Sequence, residues 1–158
     1  MTLRPATPED LPALARLWQE GWHEAHAAHV PPEVLTFRAA PYFAERLRLM
    51  QAEGLLRMAG TAEAPLGFCA IEGEEIDQLY VSPAARGTGL ASELLHDGEA
   101  RLAATGVQEA RLLCMAENTR AARFYGREGW RDAGTAPHEL KKLGGTFTLP
   151  VTTFRKSL

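Results

Sequence analysis

Leu11, Leu14, Ala15, Trp18 and Trp22 recur at helical spacing and fall within a narrow arc at about 3.6 residues per turn. They predict a helix over "PEDLPALARLWQEGWHEAHAAH", which Pro31-Pro32 stops. A short first strand, "TLRPAT", precedes it. A second helix is predicted over Tyr42 to Glu53, ended by Gly54. "LLRMAGT" and "PLGFCAIE" read as two strands around a turn near Glu63 to Pro65, and Gly73-Glu74 as a tight turn before a third strand, "EIDQLYV". After Pro83 the period is helical again. From about Gly89, the residues Leu90, Ala91, Leu94, Leu95, Gly98 and Leu102 share one face, and Ser92, Glu93, His96, Asp97 and Glu99 take the other. Gly106 ends this helix. "EARLLCMA" reads as a strand and "TRAARFYGRE" as a helix closed by Gly129. The tail, "RDAGTA" and "TFTLPVTTFRKSL", reads as strands with Pro150 at a break or an edge. The order β-α-α-β-β-β-α-β-α-β-β predicts an α/β (α+β) fold, a mixed sheet with helices packed on it.

Composition narrows the class. The 158 residues are 46% apolar and 23% charged, which predicts one soluble domain over residues 1–158 with a real core. A net charge of -3 gives no basic footprint for nucleic acid. "MTLRPATPED" lacks the apolar core of a secretory signal, and no stretch reaches the roughly 20 apolar residues of a membrane span. The expectation is a cytoplasmic protein with no membrane or nucleic-acid partner. Cys69 and Cys114 sit singly in "LGFCAI" and "RLLCMA" without a CxxC partner, as buried reduced thiols do.

Between the third strand and the next helix lies Arg86-Gly87-Thr88-Gly89. A strand, a glycine turn and a helix start make an anion site. The first backbone N–H groups of a helix lack intrahelical partners, and the helix dipole favours negative charge. Glycines let a ligand approach the backbone, and Arg86 offers a fork of donors suited to phosphate. A diphosphate is the natural ligand, with a purely structural turn as the alternative. A Walker loop is excluded because Leu90-Ala91 follows Gly89 where Lys and Ser/Thr are needed. Gly87-x-Gly89-x-x-Ser92 is nearer the dinucleotide pattern. The acid that pattern requires, Glu109, stands at the wrong end of its strand.

The stretch resembles motif A of the GNAT N-acetyltransferase superfamily, with Arg86, Gly89 and Ala91 at its fixed places. "NTRAARFYGREGW" is similar to a second signature of that family, carried by Asn118, Ala121, Tyr125, Gly129 and Trp130. The ends "LRPATPED" and "FRKSL" also look like family termini. The likeness spans essentially the whole chain, is tightest from Glu75 to Trp130, and is weak from Glu20 to Glu53. It implies a mixed, mostly antiparallel sheet of about six to seven strands, flanked by about four helices and splayed at its centre. It implies acetyl-CoA as co-substrate, with the pyrophosphate held by Arg86, Gly87, Thr88, Gly89, Leu90 and Ala91. The strand Glu75 to Val81 would splay from Ala110 to Met115. The backbone of Leu79, Tyr80 and Val81 would then meet the pantetheine arm, and an N–H near Val81 would polarise the thioester.

The implied chemistry is direct acetyl transfer to a primary amine, on a small molecule or on a peptide or protein, without a metal. A catalytically idle acyl-CoA-binding or protein-interaction domain is the alternative. Tyr125 is the candidate acid. Its ordinary pKa near ~10 lies close to that of a thiol near ~8.5. Asn118 is assigned to pantetheine, a helix cap being the other reading. Glu75 is the candidate base, with Asp77 on the same face by strand alternation; His26 and ordered water are the remaining options. His26 is also expected beside Trp22 in the acceptor pocket. A metal site at His23, His26 and His29 is disfavoured, because no carboxylate cluster accompanies them. Arg120, Arg123 and Arg127 read as a solvated stripe ahead of a patch for the 3′-phosphate. Neither the acceptor nor the oligomeric state is fixed, a homodimer being one option.

Overall fold

The computed structural model describes residues 2–142 and 145–158. The chain opens with strand β1 (Arg4–Pro5) and a single 3-10 turn, Pro8–Asp10, which leads into α1 (Leu11–His26). Asp10 ties these pieces together. Its side chain is 1% exposed; both oxygens accept from the Arg4 guanidinium at 2.7 Å, and one also accepts from the Thr7 N–H at 2.7 Å. The Arg4 hydrogen bond leads in holding its carboxyl at about 2, below the ordinary 3.8. A depressed carboxylate contributes stability that is present above the ordinary value and is lost as pH falls through the folded one. Asp10→Asn should therefore cost about 2 kcal/mol at neutral pH. The gap to wild type should close as the pH drops from about 4 to about 2 in denaturant melts.

Two helices follow, α2 (Pro32–Phe37) and α3 (Ala40–Ala52). The short α2 brings the α-helices among the described residues to five, one above the expectation of about four. Pro32 does not only follow a stop; it begins α2 at the position where a missing N–H and a fixed φ cost nothing. α1 and α3 bury Leu14, Trp18, Phe43 and Leu47 against Met58 and Phe68 of the sheet. Trp18 centres this core, with ring centroids 5.1 Å from Phe43 and 5.9 Å from Phe68.

The sheet continues with β2 (Leu56–Gly60), β3 (Pro65–Glu72), β4 (Glu75–Val81), β5 (Glu109–Met115), β6 (Arg131–Lys142) and β7 (Gly145–Ser157). Its seven strands run in the order β1-β2-β3-β4-β5-β7-β6. Every neighbouring pair is antiparallel except β4–β5. That parallel pair needs a crossover, supplied by α4 (Leu90–Ala104). α4 packs Leu90, Leu94, Leu95 and Leu102 on the opposite sheet face from α1, over Ile71, Ile76 and Leu112. Gly98 brings it close, since a Cβ there would meet Ile76 Cδ1 at 2.7 Å. Helix α5 (Thr119–Arg127) joins this second core, where Trp130 is 3% exposed and donates to Glu99 at 2.9 Å.

Two strands differ from expectation. β6 runs well past Ala136, and Pro150 neither breaks nor edges a strand. It lies inside β7 opposite Pro137 of β6. Beyond the end of β5, the Pro150 carbonyl still accepts from the Ala116 N–H at 3.2 Å. A strand residue turns its N and C=O to the same side, so Pro150 faces β5 just past that strand's end, and its pair with Pro137 exchanges no ladder bond. Pro137 turns its N to the outer edge of the sheet, where no donor is needed.

Candidate active site

The sheet opens between β4 and β5. On the β3 side, Ala70 pairs with Gln78 but Ile71 pairs with Ile76, so Asp77 is an extra residue, a β-bulge. On the β5 side only Glu75↔Arg111 and Ile76↔Leu112 pair. Beyond them the parallel ladder stops and the strands part. The bulge also breaks simple alternation. Ile76, Leu79 and Val81 pack toward α4, whereas Tyr80 packs toward α1. Ser82 donates to Leu66 of β3 at 2.8 Å. By the alternation of an antiparallel ladder, the Leu79 and Val81 N–H groups then face away from β3, into the gap.

The gap forms a cavity of about 470 Å³. Glu75, Asp77, Leu79 and Tyr80 line it from β4, Arg111 and Cys114 from β5, and Asn118 and Tyr125 from α5 and its cap. Trp22, His26, Arg38, Tyr42 and Arg46 close it from α1 to α3, and His138 and Leu140 from β6. The turn after β4 lies outside this cavity, directly along the chain from Val81. Gly87 and Gly89 have φ of +77° and +86°, and a Cβ on either would meet nothing within 4 Å. Gly89 stands at the cap of α4, so the first N–H groups of that helix face an uncovered turn. Thr88 is bound locally, donating to the Ala85 carbonyl at 2.5 Å. The Leu90 side chain is fully buried against the sheet, while Ala91 is half-buried. Arg86 reaches back to Glu24 of α1 at 2.9 Å, both side chains being exposed.

A family model described as "Acetyltransferase (GNAT) family" matches residues 11–130. The chain belongs to the GNAT acetyltransferase family. Similar solved structures agree with the fold. A GCN5-related N-acetyltransferase from Rhodopseudomonas palustris is 25% identical, with TM-score 0.75, over 99% of this chain and 95% of its own. The PaiA N-acetyltransferase of Thermoplasma acidophilum, in complex with coenzyme A, is 20% identical with TM-score 0.73, over 99% and 98%. A GNAT phosphinothricin acetyltransferase from Sinorhizobium meliloti, in complex with acetyl-CoA, is 19% identical with TM-score 0.69, over 99% and 88%. No curated protein sequence matches this one.

Within this GNAT chain the charged groups of the cavity are mostly in pairs. Glu75 Oε2 accepts from Arg111 Nη2 at 2.8 Å and Nε at 3.2 Å. Burial nonetheless raises the Glu75 pKa above 4.5, and the Arg111 hydrogen bond offsets this only in part. Asp77 binds Arg46 at 2.8 Å. His26 Nδ1 lies 2.9 Å from Glu117 Oε1, and burial lowers its pKa below 6.5 despite that carboxylate. Its ring is 5.4 Å from that of Trp22, the neighbour expected for it. His23 is instead bonded to the Arg38 carbonyl at 3.1 Å. Asn118 Oδ1 caps α5 by accepting from the Ala121 N–H at 3.2 Å, while its residue also lines the cavity. Tyr125 packs 5.8 Å from Phe154 and 6.5 Å from Trp130, and burial pushes its phenol well above 10. That widens the gap to a thiol, which from the sequence looked small. Cys69 and Cys114 are both buried. Burial holds Cys114 as a thiol, up to about 11, although it faces the cavity. Glu109, the acid of the rejected dinucleotide reading, pairs with Arg131 at 2.8 Å and Arg155 at 3.4 Å. Arg120, Arg123 and Arg127 are exposed. The cavity walls supplied by Arg38, Tyr42, Arg46 and Arg111, and the Glu117 partner of His26, were not read from sequence, because no local pattern marks them.

Proposed function

We propose that the chain transfers an acetyl group from acetyl-CoA to a primary amine, by direct attack with both substrates bound. The carrying observation is the parting of β4 and β5. It opens a strand edge and a cavity beside Tyr125, and β4 leads from there into an uncovered glycine turn at a helix start. Acetyl-CoA brings an acyl group already activated as a thioester.

The chain's own groups fit that donor. Gly87, Gly89 and the first N–H groups of α4 bind the diphosphate. Arg86 adds charge by exchanging Glu24, an exposed partner worth little in water. Backbone groups of Leu79 and Val81 receive the pantetheine amides as an added strand would give them. The Val81 N–H polarises the carbonyl. The Asn118 amide nitrogen stays available, because the cap uses only the oxygen. Tyr125 donates its proton toward the departing sulfur. Glu75 takes the amine proton at Oε1, since both Arg111 contacts go to Oε2. Cys114 does not serve as a nucleophile, because burial keeps it protonated and only the thiolate attacks. This favours direct transfer over an acyl-enzyme.

The test is CoA release from acetyl-CoA across a panel of amines, with mass spectrometry of the product. Steady release with an acetylated amine supports the reading. Binding of acetyl-CoA without turnover of any amine would leave an idle acyl-CoA-binding domain. A narrower test is Gly89→Val. At φ +86° a β-branched residue is strained by about 1–2 kcal/mol, which a melt will register. Its side chain projects into the uncovered turn, so CoA affinity by calorimetry should fall at least about tenfold. Undiminished affinity would remove the turn from the binding site.

A further inference from the structure

Arg38 is the odd cation of the cavity. It ends α2, lines the cavity and is 5% exposed. Its guanidinium carbon lies 3.7 Å from the centroid of the Tyr42 ring and 4.7 Å from that of Phe147. Its Nη1 is buried without a hydrogen-bond partner among the described residues. The other cations on the wall have acids: Arg46 has Asp77, Arg111 has Glu75, and His26 has Glu117. Glu72 and Glu139 border the cavity from exposed positions, and no carboxylate is among the groups that shift the Arg38 pKa. An arginine does not shed its charge. Two aromatic faces soften the burial of a cation but do not neutralise it. A planar fork kept desolvated and unneutralised in a substrate cavity is arranged for a planar anion.

The anion is not part of the donor. The charged groups of acetyl-CoA lie at its diphosphate end, and the glycine turn suited to them is outside this cavity. The thioester and pantetheine are uncharged. The remaining molecule in the cavity is the acceptor. Part of the 470 Å³ is needed for the thioester end, which leaves room for a small molecule. Arg38 and His26 both sit against the Trp22 ring, at 6.0 and 5.4 Å from its centroid. The cation therefore shares the Trp22 wall with His26, on the side assigned to the acceptor.

We propose that the acceptor is a small amine that also carries a carboxylate, as a free amino acid does, and that Arg38 binds this carboxylate. The proposal rests on the acetyltransferase reading above, with Arg38 as a specificity-determining residue. A site built around a charged hydrogen bond rejects an analogue that lacks it, because the buried donor is then left unpaired.

The test pairs the free amino acids with their amino amides, which keep the side chain and amine but lose the anion. For the best acid, kcat/KM should exceed that of its amide by about 10- to 100-fold, the range for a charged hydrogen-bonded contact. Arg38→Gln should bring that ratio near one, mainly by raising KM for the acid, and Arg38→Lys should keep part of it. Calorimetry of the wild-type CoA complex with the same acids and amides reads the subsite without turnover and without a variant. Acids binding above amides, even if no amine is acetylated, would sustain the subsite and defeat the transferase reading. Acetylation with acid and amide treated alike would do the reverse. Failure of every free amino acid to bind the CoA complex would overturn the subsite as well.

Discussion

Tyr125→Phe should lower kcat by about 10² to 10⁴, the range for a positioned general acid, and leave the KM for acetyl-CoA near its original value. The ring stays, and with it the packing on Phe154 and Trp130, so the fold should hold. No hydrogen bond offsets the burial that raises the Tyr125 pKa, so removing the hydroxyl breaks no strong internal partner. The raised pKa changes how the acid works. Tyr125 stays protonated across the working range, and full transfer to a thiolate is uphill, so its O–H acts chiefly by hydrogen-bonding the charge that builds on the sulfur. Its contribution then arises mainly in the transition state, which lowers kcat rather than raising KM. An alkaline limb in the wild-type profile below about pH 10 should therefore belong to another group. Donors with better leaving thiols should lose less. Intact kcat with a lower melting temperature would make Tyr125 a core residue only.

The parts of the molecule legible in the sequence are those set by local rules. β3 and β4 begin and end where alternation and the Gly73 turn place them, because a hairpin needs only neighbours in sequence. α4 buries the face its period marks. The glycines of the Arg86 turn announce themselves because φ near +80° is cheap only for glycine. The features that escaped are set by distant partners. The Asp77 bulge exists only in the register with β3. Pro150 is acceptable inside β7 because its missing N–H falls just past the end of β5, which only the strand pairing reveals. Arg38 means nothing until Tyr42, Trp22 and Phe147 close around it. Asn118 serves as cap and cavity wall together, a duplication that sequence could pose but not resolve.

Glu75→Gln should also cut kcat/KM by about 10² or more, the lower end for a general base, while leaving stability intact or improved. The stability half follows from sign. The folded pKa of Glu75 lies above its ordinary 4.5 because burial outweighs the pull of Arg111. A raised carboxylate pKa means the fold disfavours the ionised form, a cost absent at low pH that appears as pH rises through the folded value. Glutamine removes that cost at neutral pH, and Arg111, with 35% of its side chain exposed, can turn to water. Lower activity with an unchanged or higher melting temperature is what a group kept for chemistry produces. The wild-type profile alone will not name the base. Glu75 titrates above 4.5 and His26 below 6.5, so either gives an acid limb in the same window. The variants separate them. With Glu75 as base, Glu75→Gln removes the acid limb along with the rate, whereas His26→Gln changes acceptor KM through its Trp22 contact. If Glu75→Gln turns over normally and His26→Gln does not, the base is His26. Its Nδ1 would then donate to Glu117 and its Nε2 would receive the proton from the amine.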